Sequence, residues 1–144
     1  MILKIGKKKF NLKNKPFVIA EIGHNHKGSL KIAKDLIKAA KDAGADAVKF
    51  QKRNNKDLYT KKMFDQPYDH PNSYGATYGI HREALEFNKK QYKNLKKYAE
   101  KLKIIFFATP FDFSSVNFLE DVGVPCYKMA SADLTNIPLQ KYIA

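Results

Sequence analysis

Short apolar runs alternate with longer stretches of helical period along this chain. FVIAEIG (residues 17–23), ADAVKFQ (45–51), IIFFATP (104–110) and PCYKMAS (125–131) are short and bounded by glycine, proline or polar residues, as buried strands are. Between them the period changes. In LKIAKDLIKAAKDAG, Leu30, Ala33, Ile37 and Ala40 fall on one helical face, with Ser29 as N-cap and Gly44 as the stop. A second helix is predicted from Asn88, with Tyr92, Leu95, Tyr98 and Leu102 as its stripe, and a third, SSVNFLEDVG, from Ser114 to Gly123. A last one starts near Ile137-Pro138, with proline in the first turn. KIGKKKFNL (4–12) reads as an N-terminal hairpin or cap, followed by a break at Asn14-Lys15-Pro16.

Four strand–helix units in succession predict an α/β fold with parallel strands. DAGADAVK (42–49) and DVGVPCYK (121–128) share the order D-x-G-x-x-x-x-K, so like units are expected side by side. Residues 52–88, with prolines, glycines and four tyrosines, keep no sustained period; a connection of that length marks a functional or partly disordered segment.

Composition narrows the class. The chain has 144 residues, 44% hydrophobic and 28% charged, which reads as a globular domain with its own core. No apolar run approaches the ~20 residues of a membrane helix, and MILKIGKKKF lacks the apolar centre of a signal peptide. Cys126, the single cysteine, excludes an internal disulfide, reads as a small core residue and fits the cytoplasm. The net charge of +13 and pI near 9.7 raise nucleic acid as a partner, yet Arg53 and Arg82 are the only arginines. The lysines instead spread along helix faces, without the arginine forks and aromatic platforms of nucleic-acid readers. The same positive field would attract a small anion.

Polar chemistry collects at the strand ends. Glu21 ends the first strand, Lys49 and Gln51 the second, Thr109 the third, Lys128 and Ser131 the fourth. Alternation puts Lys49 and Gln51 on the side of Ala47, opposite Val48 and Phe50. Such groups converge on the active site of a (β/α) barrel or on the crevice of a doubly wound sheet. A lone lysine in an apolar strand needs a partner, and two at equivalent positions point to a shared anion. His24 and His26, just after the first strand, have a spacing that could serve a metal, but two imidazoles alone do not make a site. His70 and His81 lie in the irregular region.

AEIGHNHKGSLKIAKDLIKAAKDAGADAVKFQ and ATPFDFSSVNFLEDVGVPCYKMASADLTNIPL resemble the N-terminal part of the sialic acid synthase (NeuB) family, and NSYGATYGIHREALEF resembles a linker of its bacterial members. The resemblance implies a TIM-type (β/α)8 barrel of which residues 1–144 would be the N-terminal half, about four βα units. It implies condensation of phosphoenolpyruvate (PEP) with N-acetylmannosamine or a related N-acetylated amino sugar to a nonulosonic acid, with release of phosphate. Lys49, Lys128, Thr109 and Ser131 match PEP-binding positions. Glu21 matches a carboxylate facing the reacting centre, while Gln51, Asn72 and Asp133 match positions that contact the amino sugar. A divalent metal, manganese or magnesium, is expected for the full enzyme, as is a homodimer. A complete barrel needs roughly 250 residues. The later strands with their two metal-binding histidines, and the C-terminal antifreeze-like domain, are accordingly expected to lie outside this chain, which would then be inactive alone.

Three other readings make different expectations. A non-catalytic half-barrel would associate through open strand edges. A barrel metallohydrolase would use His24 and His26, leaving both lysines unexplained. A nucleic-acid binder would show steeply salt-dependent affinity.

Overall fold

Parallel strands and helices alternate in the computed structural model, which describes residues 2–6, 8–11 and 15–144. The expected N-terminal hairpin is formed by β1 (Ile2–Ile5) and β2 (Lys8–Asn11), paired antiparallel. Lys7, Leu12 and Asn14, and with Asn14 part of the predicted chain break, lie outside the described residues. The central sheet has the order β3 (Ile19–Gly23), β4 (Ala47–Lys52) and β5 (Ile105–Pro110), with both pairs parallel.

Each face of the sheet buries a different set of residues. Val48, Phe50, Phe106 and Ala108 pack beneath α1 (Leu30–Asp42), which contributes Ala33 and Ile37, and α5 (Lys89–Lys101), which contributes Tyr92, Leu95 and Ala99. Leu119 and Val122 of α6 (Phe113–Val122) complete this layer. Each of the large aliphatic and phenylalanine side chains contributes about 1.5–3 kcal/mol by leaving water, and the alanines less. Ala47, Ile105 and Phe107 point the other way and meet Ile5 and Phe10 of the hairpin, Phe17, Val124 and Cys126. The hairpin thus closes the second face at the N-terminal strand ends, and the same face continues toward the C-terminal ends as Lys49, Gln51 and Thr109. Cys126 is a half-buried packing residue here, and burial pushes its thiol up.

Helix limits follow from local chemistry. The Ser29 hydroxyl accepts from the Ile32 N–H, and Asn88 and Gln91 form a reciprocal capping box. Gly44 and Gly123 adopt φ of 85° and 74°, the left-handed conformation that favours glycine. The third helix begins earlier than Ser114: the Asp112 carboxylate caps it by accepting from the Ser115 N–H at 2.6 Å. The last helix, Ile137–Ile143, has its proline in the first turn.

Two expectations need correction. The fourth strand, over 125–131, is reduced to one parallel bridge between Ala108 and Tyr127 and a Lys128 N–H to Ala108 C=O bond of 3.3 Å. Pro125 has no N–H to donate, and Ser131–Asp133 turn into a 3-10 helix, so no ladder grows from that bridge. Three parallel strands are therefore paired among the described residues. The aperiodic segment 52–88, in turn, contains three short helices, α2 (Asn55–Leu58), α3 (Lys61–Phe64) and α4 (Tyr78–Ala84). Thr60 and Thr77 cap the latter two, and a four- or seven-residue helix is too short to show a period.

Candidate functional site

Lys49 lies in mid-sheet, 8% exposed, and an ammonium there must be compensated. Its Nζ is 2.6 Å from Glu21 Oε2 and donates to Thr109 Oγ1 at 3.0 Å. The three residues come from three adjacent strands, and register explains the meeting. Glu21 is opposite Lys49 across β3–β4, and Thr109 is opposite Gln51 across β4–β5. A shift in the β3–β4 register between Glu21 and Gly23 turns the end of β3, and Gly23 takes φ 54°. A methyl group on Gly23 would stand 3.3 Å from Glu21 Oε1 and 3.7 Å from Gln51 Nε2, so carboxylate and amide both lie over this glycine. The Gln51 carbonyl is itself held by the buried Tyr92 hydroxyl at 2.7 Å.

Glu21 is half exposed whereas Lys49 is not, so the carboxylate can move away from the ammonium at little desolvation cost. What would remain is a fixed, desolvated cation beside a hydroxyl at the C-terminal ends of parallel strands. Such a corner suits a carboxylate or phosphate.

The remaining predicted residues are placed less tightly. Tyr127 bridges Ala108 and packs toward the helical layer, so alternation puts Lys128 beside Thr109 on the face of Lys49. Its side chain is exposed and has no hydrogen bond or ion pair among the described residues. Ser131 is exposed at the start of the 3-10 turn, and Asp133 Oδ1 accepts from Asn136 Nδ2 at 3.1 Å. Asn72 is exposed in the turn at His70–Ser73, where its N–H donates to His70 Nδ1, and no hydrogen bond joins it to the strand-end residues.

His24 and His26 do not act as a pair. His26 is buried, stacked on Phe87 with centroids 4.3 Å apart, and its Nδ1 accepts from the Gly28 N–H. Burial first, then His24, lowers its pKa to about 4, so the ring is neutral. Among the described residues no three histidine, cysteine or acidic side chains gather as a metal site.

A second polar cluster escaped the sequence reading. Glu86, between α4 and α5, places Oε2 2.7 Å from Lys52 Nζ and 3.4 Å from the Arg53 N–H, and Oε1 3.4 Å from His24 Nε2. Burial opposes its charge, but His24 and Lys52 hold its pKa below the ordinary value. Arg53 spans the strand ends: Nη1 is 3.2 Å from His24 Nε2, and the guanidinium stacks on Phe111 at 3.8 Å. Asp112 Oδ2 accepts from the Asn54 N–H at 2.7 Å, joining the ends of β4 and β5. A cavity of about 250 Å³ lies among Lys52, Arg53, Asn54, Glu86, Ser115 and Phe118. One signal was available in the sequence: Glu86 stands between Leu85 and Phe87, both buried, in a stretch without period.

Residues 36–144 match the NeuB family. Human N-acetylneuraminate-9-phosphate synthase is 44% identical over 122 residues, 85% of this chain and 34% of that protein. N,N'-diacetyllegionaminic acid synthase of Campylobacter jejuni is 39% identical over 131 residues, 90% of this chain and 39% of that protein. The crystal structure of N-acetylneuraminic acid synthetase from Leptospira borgpetersenii, in complex with citrate, superposes with a TM-score of 0.78 at 35% identity, covering 99% of this chain and 45% of that one. The chain thus spans about a third of the length of the curated relatives it matches.

Proposed function

The chain belongs to the NeuB family, and on that premise we propose that it supplies the PEP-binding strand ends of a nonulosonic acid synthase built on a (β/α) barrel. The observation that carries the reading is Lys49, a buried ammonium held between Glu21 and Thr109 at the C-terminal ends of parallel strands. PEP brings a carboxylate and a phosphate. Lys49 and Lys128 would take this charge from two sides, with the Thr109 and Ser131 hydroxyls donating to its oxygens. Lys128, exposed and without a side-chain partner among the described residues, fits a cation whose counterion is the substrate.

In the reaction proposed, the methylene carbon of PEP bonds to the aldehyde carbon of the open-chain amino sugar, and the aldehyde oxygen takes a proton. Water then adds to the cationic C2 and gives up a proton. The bond from C2 to the phosphate-bearing oxygen then breaks while the C2 hydroxyl passes its proton to the departing phosphate, leaving the keto acid and inorganic phosphate. Glu21, released from Lys49 as the anion enters, would handle a proton of the aldehyde or of the water. Gln51, over Gly23, would orient the amino sugar, with Asn72 and Asp133 as further contacts. The divalent metal expected of the full enzyme finds no ligand set among the described residues, and the roles of Glu21, Lys49 and Thr109 are derived without it.

The test is phosphate release from PEP with and without N-acetylmannosamine. Release that requires both substrates supports the condensation, and saturable PEP binding without release supports the PEP half alone. Absence of both binding and release removes the reading.

A second reading draws on β3. It is an edge strand, with Val18 and Ile19 49% and 44% exposed at its start, which suits a module that associates through this edge. Sedimentation at increasing concentration separates the two, because a monomer throughout counts against the module.

A further inference from the structure

Three strand ends meet at the proposed PEP corner, yet nothing in Glu21, Lys49 or Gln51 themselves fixes how far each strand reaches. Immediately beyond these residues, Glu86 does. Its side chain is 9% exposed, and its carboxylate contacts the first residue after β3, His24, as well as the last residue of β4, Lys52, and the N–H of Arg53. His24 is three positions beyond Glu21, and Lys52 is one beyond Gln51 and three beyond Lys49. A single side chain, carried on the segment that also bears Asn72, therefore clamps the two strands whose ends form most of the site.

The hydrogen bonding of Glu86 shows where the clamp is tight and where it gives. Oε2 receives both the Lys52 ammonium and the Arg53 N–H, whereas Oε1 is buried with no well-formed hydrogen bond. The nearest donor candidate, His24 Nε2, is also the atom facing Arg53 Nη1 at 3.2 Å. Arginine can only donate, so a proton on His24 Nε2 serves Glu86 and leaves Arg53 without an acceptor at that nitrogen. The β4 limb of the clamp is thus a charge-assisted pair, and the β3 limb is the longer contact of Glu86 with His24 at 3.4 Å. Arg53 in turn is fixed from the far side by Phe111 of the β5–α6 connection.

We infer that Glu86 is the positioning residue of this site, setting the ends of β3 and β4 so that Glu21 and Gln51 flank Lys49 in the geometry that receives the anion. The inference rests on the PEP reading for its consequence, but its structural content stands apart from it.

The experiment uses the full 144-residue chain with Glu86→Gln, which keeps shape and removes charge, and His24→Asn, which cuts the β3 limb alone. Amide hydrogen exchange is followed by NMR, and PEP affinity by calorimetry. Glu86→Gln is expected to speed exchange roughly tenfold at residues 21–24 and 51–53 while leaving Ile37 of α1 and Leu95 of α5 unchanged. His24→Asn should speed only the β3 end. PEP affinity should fall roughly tenfold in Glu86→Gln, and the effect should vanish when Lys49 is already alanine, because both act on one contact. Uniform acceleration across sheet and helices, or none at all, overturns the inference. If Glu86→Gln does not fold, the His24→Asn pattern decides, and acceleration outside β3 is the overturning result. Should the wild-type chain bind no PEP, the substrate reading fails while the exchange pattern still decides the positioning role.

Discussion

The two D-x-G-x-x-x-x-K segments begin alike and end differently. Both carry a left-handed glycine after a helix, Gly44 and Gly123, and both lead to a lysine on the same face of the sheet. Lys49 ends up 8% exposed and is bound to Glu21 and Thr109. Lys128 is exposed and unpartnered among the described residues. The motif is the same, so the difference comes from the neighbours. β4 has a strand on each side, whereas the segment at Lys128 touches β5 through one bridge and begins at Pro125, which cannot donate. Burial of a cation is thus a property of the sheet around it. The paired corner is compensated from within, and in the proposed reading the open corner takes its counterion from the substrate.

The sharpest way to break this comparison is to remove each lysine in turn. Lys49→Ala and Lys128→Ala should each weaken PEP binding by about 100-fold or more, the loss of a charge-assisted contact of ~3 kcal/mol, as read by calorimetry. Denaturant unfolding should then separate them. Lys128→Ala should stay within about 0.5 kcal/mol of wild type, and a larger stability loss would show that it is already paired. Lys49→Ala should move stability more, in either direction, because a desolvated charge is deleted together with its hydrogen bonds.

The acid-sensitive group lies on the other face of the sheet from the paired corner. His26, buried against Phe50 and Phe87, has its pKa lowered from 6.5 to about 4, so between these values the unfolded chain takes a proton that the folded chain refuses. Its contribution is complete above pH 6.5 and declines as pH falls toward 4, by about 3 kcal/mol in all. Urea unfolding at pH 7 and 4.5 checks this, and His26→Gln should flatten the slope. A slope unchanged in His26→Gln would assign the acid sensitivity to other groups.

Asp112→Ala should cost about 2 kcal/mol, since the carboxylate both caps α6 and holds the Asn54 N–H. Exchange at Asn54 should rise with it, whereas Lys128 should be unaffected. The smallest effect concerns what the two segments share. Gly44→Ala and Gly123→Ala should each cost about 1 kcal/mol, and similar values would confirm that the glycines are equivalent although the lysines are not.

The sequence carried the helices and strands wherever a period or an apolar run is long enough to read. Leu30–Asp42, Lys89–Lys101 and the three paired strands were legible for that reason. The alternation in ADAVKFQ placed Lys49 and Gln51 on one face, as found, because a strand has only two sides. Pairing was not legible: nothing in PCYKMAS distinguishes a full strand from a single bridge, since the hydrogen bonds belong to its neighbours. Segment 52–88 hid its helices because each is only four or seven residues long, and α3 and α4 are started by single threonine caps. Glu86 was missed because its partners, His24, Lys52 and Arg53, are more than thirty residues away. Their convergence is a product of the fold.

Lys49 and Lys128, unlike in burial, are proposed to serve one anion. The most direct measurement is an NMR titration of the full chain with PEP, observing the lysine side-chain ammonium and Cε signals. Saturable changes are expected at Lys49 and Lys128 with a single dissociation constant, of roughly millimolar order or tighter, and smaller changes at Lys52, which is held by Glu86. A folded protein whose Lys49 and Lys128 signals stay unmoved, or respond with two unrelated constants, would contradict the proposal.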